Sequence, residues 1–106
     1  MKLTDPVPLR QQFASEAAFQ AWVRELAEAN GWDVSCWHNS RFSPAGFPDL
    51  VLIKPPYLLF RELKNTKGQL SPDQQHKLEL LQRCGEDAGV WWPEDMLDIE
   101  KTLRKG

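Results

Sequence analysis

Cysteine, histidine, net charge and long apolar runs are all scarce in this chain, and each scarcity removes a class of explanation. Cys36 and Cys84 stand apart without Cys-x-x-Cys spacing, and His38 and His76 are the only histidines that could join them. A structural zinc site is therefore not expected, and both cysteines are read as buried thiols. The net charge is only -2 and the pI about 5.6, so the whole chain carries no nucleic-acid footprint, membrane-surface signal or basic tail. No stretch approaches the roughly 18 apolar residues of a membrane span, and the opening MKLTDPVPLRQQF lacks the apolar run of a signal peptide. These absences imply an intracellular, cytoplasmic protein with no membrane partner.

What is present fits one compact domain over residues 1–106, without an internal repeat or a domain boundary. Five Trp and five Phe can supply its core. The small size also favours a second chain packed alongside. Residues 1–13, with Pro6 and Pro8, read as an extended N-terminal arm. Ser15 can cap a helix whose Phe19, Trp22, Val23, Leu26 and Ala27 recur at helical spacing before Gly31. Trp32 to His38 alternates as a half-buried strand, and Asn39 to Pro48 is a loop. DLVLIK (49–54) and YLLFRELK (57–64), separated by Pro55 and Pro56, form two adjacent strands, a hairpin.

Ser71, Pro72 and Gln74 make a helix start with a capping box, followed by a buried stripe of Leu78, Leu81 and Cys84. Ala88 to Trp92 is a last strand, where the Trp91-Trp92 pair reads as packing. Pro93 opens a short helix carrying Met96, Ile99 and Leu103. The order αβββαβα implies an α/β fold, with a mixed four-stranded sheet flanked by helices on both faces and a C-terminal helix.

The chemistry-bearing residues lie between the second strand and the second long helix. Alternation puts Glu62 and Lys64 on one face of the third strand and Leu63 on the other. Pairing through the 54–57 turn brings Asp49 roughly opposite them. Two carboxylates beside a lysine, with a backbone carbonyl and water, suit a hard divalent cation such as Mg²⁺ that binds a phosphodiester oxygen and activates water. Asp49 and Glu62 are the candidate ligands, and Lys64 orients the water or neutralises phosphate. Glu16, on the edge of the buried helix face, could reach the metal directly or through water, or serve only as a helix N-terminal acid. Gln74 could contact Lys64, water or phosphate, or serve only its capping box. Arg41 and Lys67 are candidate DNA-binding residues in flanking loops, or solvated charges. His38 reads as structural. From Lys54 to Arg83 six basic residues stand against three acidic ones, implying a modest positive patch around the site.

The succession GFPDLVLI, RELK, GQLSPDQ and VWWPEDMLDIEKTL resembles the VRR-NUC branch of the PD-(D/E)xK nuclease superfamily in its small standalone form, over about Ser15 to Leu103. The resemblance implies a restriction-endonuclease-like αβββαβ core and a Mg²⁺- or Mn²⁺-dependent DNA endonuclease. It makes Asp49, Glu62 and Lys64 the catalytic set, with the Leu63 carbonyl and Glu16 on the metal and Gln74 at the family's Ser-x-x-Gln position. It also implies a homodimer acting on branched DNA such as Holliday junctions. Alternatives are a monomeric flap or repair nuclease and a non-catalytic DNA-binding module on the same fold.

Overall fold

The computed structural model describes residues 13, 15–36, 44–65 and 68–105. Helix α1 (Glu16–Ala29) begins where the Ser15 hydroxyl accepts a hydrogen bond from Ala18 N at 3.1 Å. That bond satisfies one of the amide donors a helix start leaves without an intrahelical partner. The apolar stripe of α1 buries Phe19, Val23 and Ala27 completely. Phe13 packs onto this stripe in tilted ring contacts, its ring centroid 5.2 Å from Phe19 and 5.5 Å from Trp22. The rest of the expected arm, residues 1–12, lies outside the described residues.

Strands β1 (Asp33–Cys36), β2 (Leu50–Lys54) and β3 (Tyr57–Leu63) pair antiparallel in succession. Strand β4 (Asp87–Trp91) joins β3 in parallel, giving the order β1-β2-β3-β4. A parallel join needs a crossover, which helix α2 (Pro72–Arg83) provides. Pro72 opens α2, and the capping box between Ser71 and Gln74 is formed. A 3₁₀ turn at Pro93–Asp95 leads into helix α3 (Met96–Leu103). The αβββαβ order and the mixed four-stranded sheet are thus as read from the sequence. The edges differ slightly. Trp32 stands ahead of β1, donating from Nε1 to Leu103 O at 2.8 Å and so pinning α3; residues 37 and 38 lie outside the described residues. Strand β4 starts one residue early because Asp87 pairs with Leu59.

Alternation divides the sheet into two faces. Leu50, Leu52, Leu59, Leu63 and Trp91 share one face and bury against α1 together with Ile99 and Leu103 of α3. Each fully buried leucine here contributes roughly 1.5–3 kcal/mol. The opposite face carries Val51, Phe60, Glu62 and Val90. Helix α2 packs there against the edge strand β4, so the two long helices flank the sheet. Because α2 covers only that edge, just Leu78 of its expected stripe is buried, and Leu81 is half-buried. Cys84 is exposed and Cys36 half-buried, which corrects the reading of both as buried thiols. Among the described residues no helix is long and apolar enough to cross a membrane.

Candidate active site

The site forms where β2 ends and β3 continues. The β2–β3 ladder stops at Leu50 and Arg61, which leaves the Leu63 amide without a β2 backbone partner. The Asp49 side chain takes that place, its Oδ2 accepting from Leu63 N at 3.0 Å. Pro48, fully buried, fixes the backbone just before it. One oxygen of Asp49 is thereby committed to β3, and the carboxylate is held beside the next side chain along, Glu62.

Glu62 is only 2% exposed. Its Oε2 accepts from Gln74 Nε2 at 3.0 Å and lies 3.8 Å from the Lys64 ammonium. Its Oε1 is buried without a hydrogen-bond donor among the described residues. Burial above all, then the neighbouring Asp49 carboxylate and more weakly Glu16, push its pKa up to about 8, against the pull of Lys64. A buried oxygen left unpaired costs about 1–3 kcal/mol, more when charged, and a crowded carboxylate pair is disfavoured in its ionised form. A divalent cation would relieve both. The two carboxylates offer the hard-oxygen chemistry that Mg²⁺ or Mn²⁺ takes.

Gln74 forms the expected capping box, but its other contact is with Glu62 rather than with the Lys64, water or phosphate considered for it. Its backbone N–H donates to Ser71 Oγ at 3.1 Å, and its Oε1 accepts from Ser71 N at 2.8 Å. The same side chain donates from Nε2 to Glu62. The amide oxygen therefore closes the capping box while the amide nitrogen aims at the Glu62 carboxylate. The Ser-x-x-Gln spacing signals the first role; the second needs α2 to start above the end of β3. Lys64 is 15% exposed, and its stem passes over Gly68, where a Cβ would stand 3.2–3.3 Å from the Lys64 Cδ and Cβ. Glycine there leaves room for the lysine.

Glu16 is exposed in the first turn of α1 and reaches the pair through its charge on Glu62. Among the described residues no three His, Cys, Asp or Glu side chains cluster. Arg41, Lys67 and His38 lie outside the described residues. The positive patch expected around the site is reduced, because two of its members point elsewhere. Lys54 Nζ donates to Asn30 O at 2.6 Å and Lys105 O at 2.9 Å, capping the end of α1. Arg61 turns to the opposite face, pairs with Asp87 at 2.7 Å and lies 4.9 Å over the Trp91 ring. Trp91 is buried and Trp92 half-buried, in keeping with packing.

Comparison with known proteins bears on this arrangement. The VRR-NUC domain family matches residues 6–91, a span containing every residue named in the site. The chain belongs to the VRR-NUC family. A solved VRR-NUC domain is similar to it with a TM-score of 0.67 and 24% identity, over 83% of this chain and 92% of that one. Archaeoglobus fulgidus Hjc, a Holliday junction resolvase from an archaeal hyperthermophile, matches at a TM-score of 0.49 and 25% identity, over 68% of this chain and 64% of that one. No curated protein matches. The match to the VRR-NUC family ends with β4, so α3, whose Ile99 and Leu103 complete the core, lies beyond it.

Proposed function

We propose that this VRR-NUC domain is a Mg²⁺- or Mn²⁺-dependent endodeoxyribonuclease that hydrolyses phosphodiester bonds in branched DNA such as Holliday junctions, working as a homodimer. The observation that supports the reading is the buried Oε1 of Glu62, which has no hydrogen-bond donor among the described residues, beside the Asp49 carboxylate. Asp49, Glu62 and the Leu63 carbonyl hold the cation, with Glu16 adding charge from the first turn of α1. When bound, the cation supplies Lewis acidity toward a phosphodiester oxygen and lowers the pKa of water. Lys64, beside Glu62, orients the attacking water and neutralises charge developing on the phosphate. Gln74 holds Glu62 in place. Arg41 and Lys67 contact the DNA backbone. Selectivity comes from DNA shape and from a second copy of the domain.

The test is a panel of labelled four-way, flapped and linear DNAs incubated with and without Mn²⁺. Metal-dependent cleavage of the four-way junction, abolished by Asp49→Ala or Lys64→Ala with a native circular dichroism spectrum, supports the proposal. Binding without turnover points instead to a non-catalytic DNA-binding module, and preference for flaps by a chain of single-subunit mass in light scattering points to a monomeric repair nuclease.

A further inference from the structure

Gly46 lies outside the metal-and-lysine constellation, yet the loop that carries Asp49 meets helix α2 there. A Cβ at Gly46 would stand 2.3 Å from Asp73 O, 2.5 Å from Asp73 C and 2.9 Å from Gln74 N. Those are backbone atoms of the first turn of α2, the turn whose capping box holds Gln74, so no side chain can swing aside to make room. Gly46 also has φ +75°, a left-handed conformation that costs an L-residue with a Cβ roughly 1 kcal/mol or more. Two independent features, close approach and positive φ, thus require glycine at this position.

The neighbours of Gly46 tie the loop to the other parts of the site. Phe47 N donates to Pro44 O at 3.1 Å, closing a four-residue turn with Gly46 third, where type II geometry needs positive φ. The Phe47 ring meets Phe60 edge-on at 6.2 Å, two residues before Glu62 on the same face of β3. Pro48 is buried, and Asp49 bonds the β3 backbone. The turn therefore touches the strand of Glu62 on one side and the helix start of Gln74 on the other, while carrying Asp49 itself.

We infer that Gly46 is a positioning residue: its missing side chain lets the Asp49 loop seat directly on the first turn of α2, and this seating sets the reach of Gln74 to Glu62. The inference rests on the nuclease reading for its catalytic consequence, but its structural half is measurable without DNA or metal.

The test begins with the wild-type chain, where NMR should show a nuclear Overhauser contact between the Gly46 Hα and the Gln74 amide proton. Gly46→Ala and Gly46→Asn both add the Cβ, and asparagine tolerates the positive φ, so the pair separates close approach from backbone conformation. Both should stay folded by circular dichroism while the Gln74 side-chain amide signals, assigned through Gln74→Ala, move to solvent-exposed values. Junction cleavage should fall about tenfold or more in kcat with KM changed less than about twofold, and Gly46→Ala should add nothing in a Gln74→Ala background, as coupled sites behave. A missing contact in the wild type, unchanged Gln74 signals in both variants, or additive losses would overturn the inference. So would variants that do not fold at all, because the contact would then hold the domain together rather than aim Gln74. Should the wild type cleave no DNA, the nuclease reading fails, and the contact and amide signals still decide the placement of Gln74.

Discussion

Arg61 and Glu62 are adjacent on β3, both are buried, and the protein treats them in opposite ways. Arg61 faces the core side, where NH1 donates to Phe60 O at 3.0 Å and Asp87 O at 2.9 Å, NH2 pairs with the Asp87 carboxylate, and the Trp91 ring lies beneath. Its charge is met by groups the chain supplies. Glu62 faces α2, where one buried oxygen has no hydrogen-bond donor among the described residues and the neighbouring Asp49 carboxylate disfavours its ionised form. A buried charge that is fully paired points to architecture; one that is left incomplete beside a like charge, as catalytic acids and metal ligands are, points to function.

The largest expected effects break the incomplete side. Asp49→Asn and Glu62→Gln should each lower Mn²⁺-dependent cleavage by about a hundredfold or more, the scale of removing one preorganised electrostatic group from a reaction centre. Their thermal melting without metal should stay at or above that of the wild type, since each relieves a crowded carboxylate. Cleavage that survives in both variants would mean the contrast with Arg61 has no catalytic meaning.

Acidity tests the same contrast without substrate. The Glu62 pKa is raised to about 8 from an ordinary 4.5, so between those values the folded chain holds a proton that the unfolded chain releases. Stability of the metal-free protein should therefore decline as pH rises from about 5 to 8, by up to a few kcal/mol in order of magnitude, and level off above. Urea titrations at several pH values check this, with Glu62→Gln expected to lose the decline and Mn²⁺ to oppose it at pH 8. Parallel curves for wild type and variant would place the raised pKa elsewhere.

On the complete side, Asp87→Ala should destabilise the domain by about 1.5–3 kcal/mol, the worth of a charge-assisted hydrogen bond, because Arg61 stays buried after losing its carboxylate. Cleavage per folded molecule should be unchanged, measured alongside urea unfolding. A parallel loss of activity would show that the two faces are coupled through β3.

How much of this contrast could be read from the sequence depends on the range of the interaction. Period-two alternation places Glu62 and Lys64 together and Leu63 opposite, the Pro55-Pro56 break sets the hairpin register that brings Asp49 alongside, and the Ser71 to Gln74 spacing marks the helix start; all are local rules. The partner of Arg61 is not local, since Asp87 arrives through a parallel crossover 26 residues away, so counting Arg61 into a positive patch placed it on the wrong face. The exposure of Cys84 has the same origin, because helical spacing marks a stripe but not how far the sheet extends beneath it. The seating of Gly46 on α2 is a loop-to-helix contact with no sequence period at all.

The smallest expected effect separates the two tasks of Gln74. Ser71→Ala removes the hydroxyl that accepts from Gln74 N but keeps the Ser71 amide that bonds Gln74 Oε1, so the Glu62 contact survives. It should cost about 1 kcal/mol of stability, the usual loss of an N-cap, with cleavage changed less than about twofold. Gln74→Ala removes both the reciprocal cap bond and the donor to Glu62, so its cleavage should fall further than its stability explains. If the two variants lose activity in proportion to stability alone, Gln74 is a cap and nothing more, and Glu62 is held in place by Asp49 and Lys64 without it.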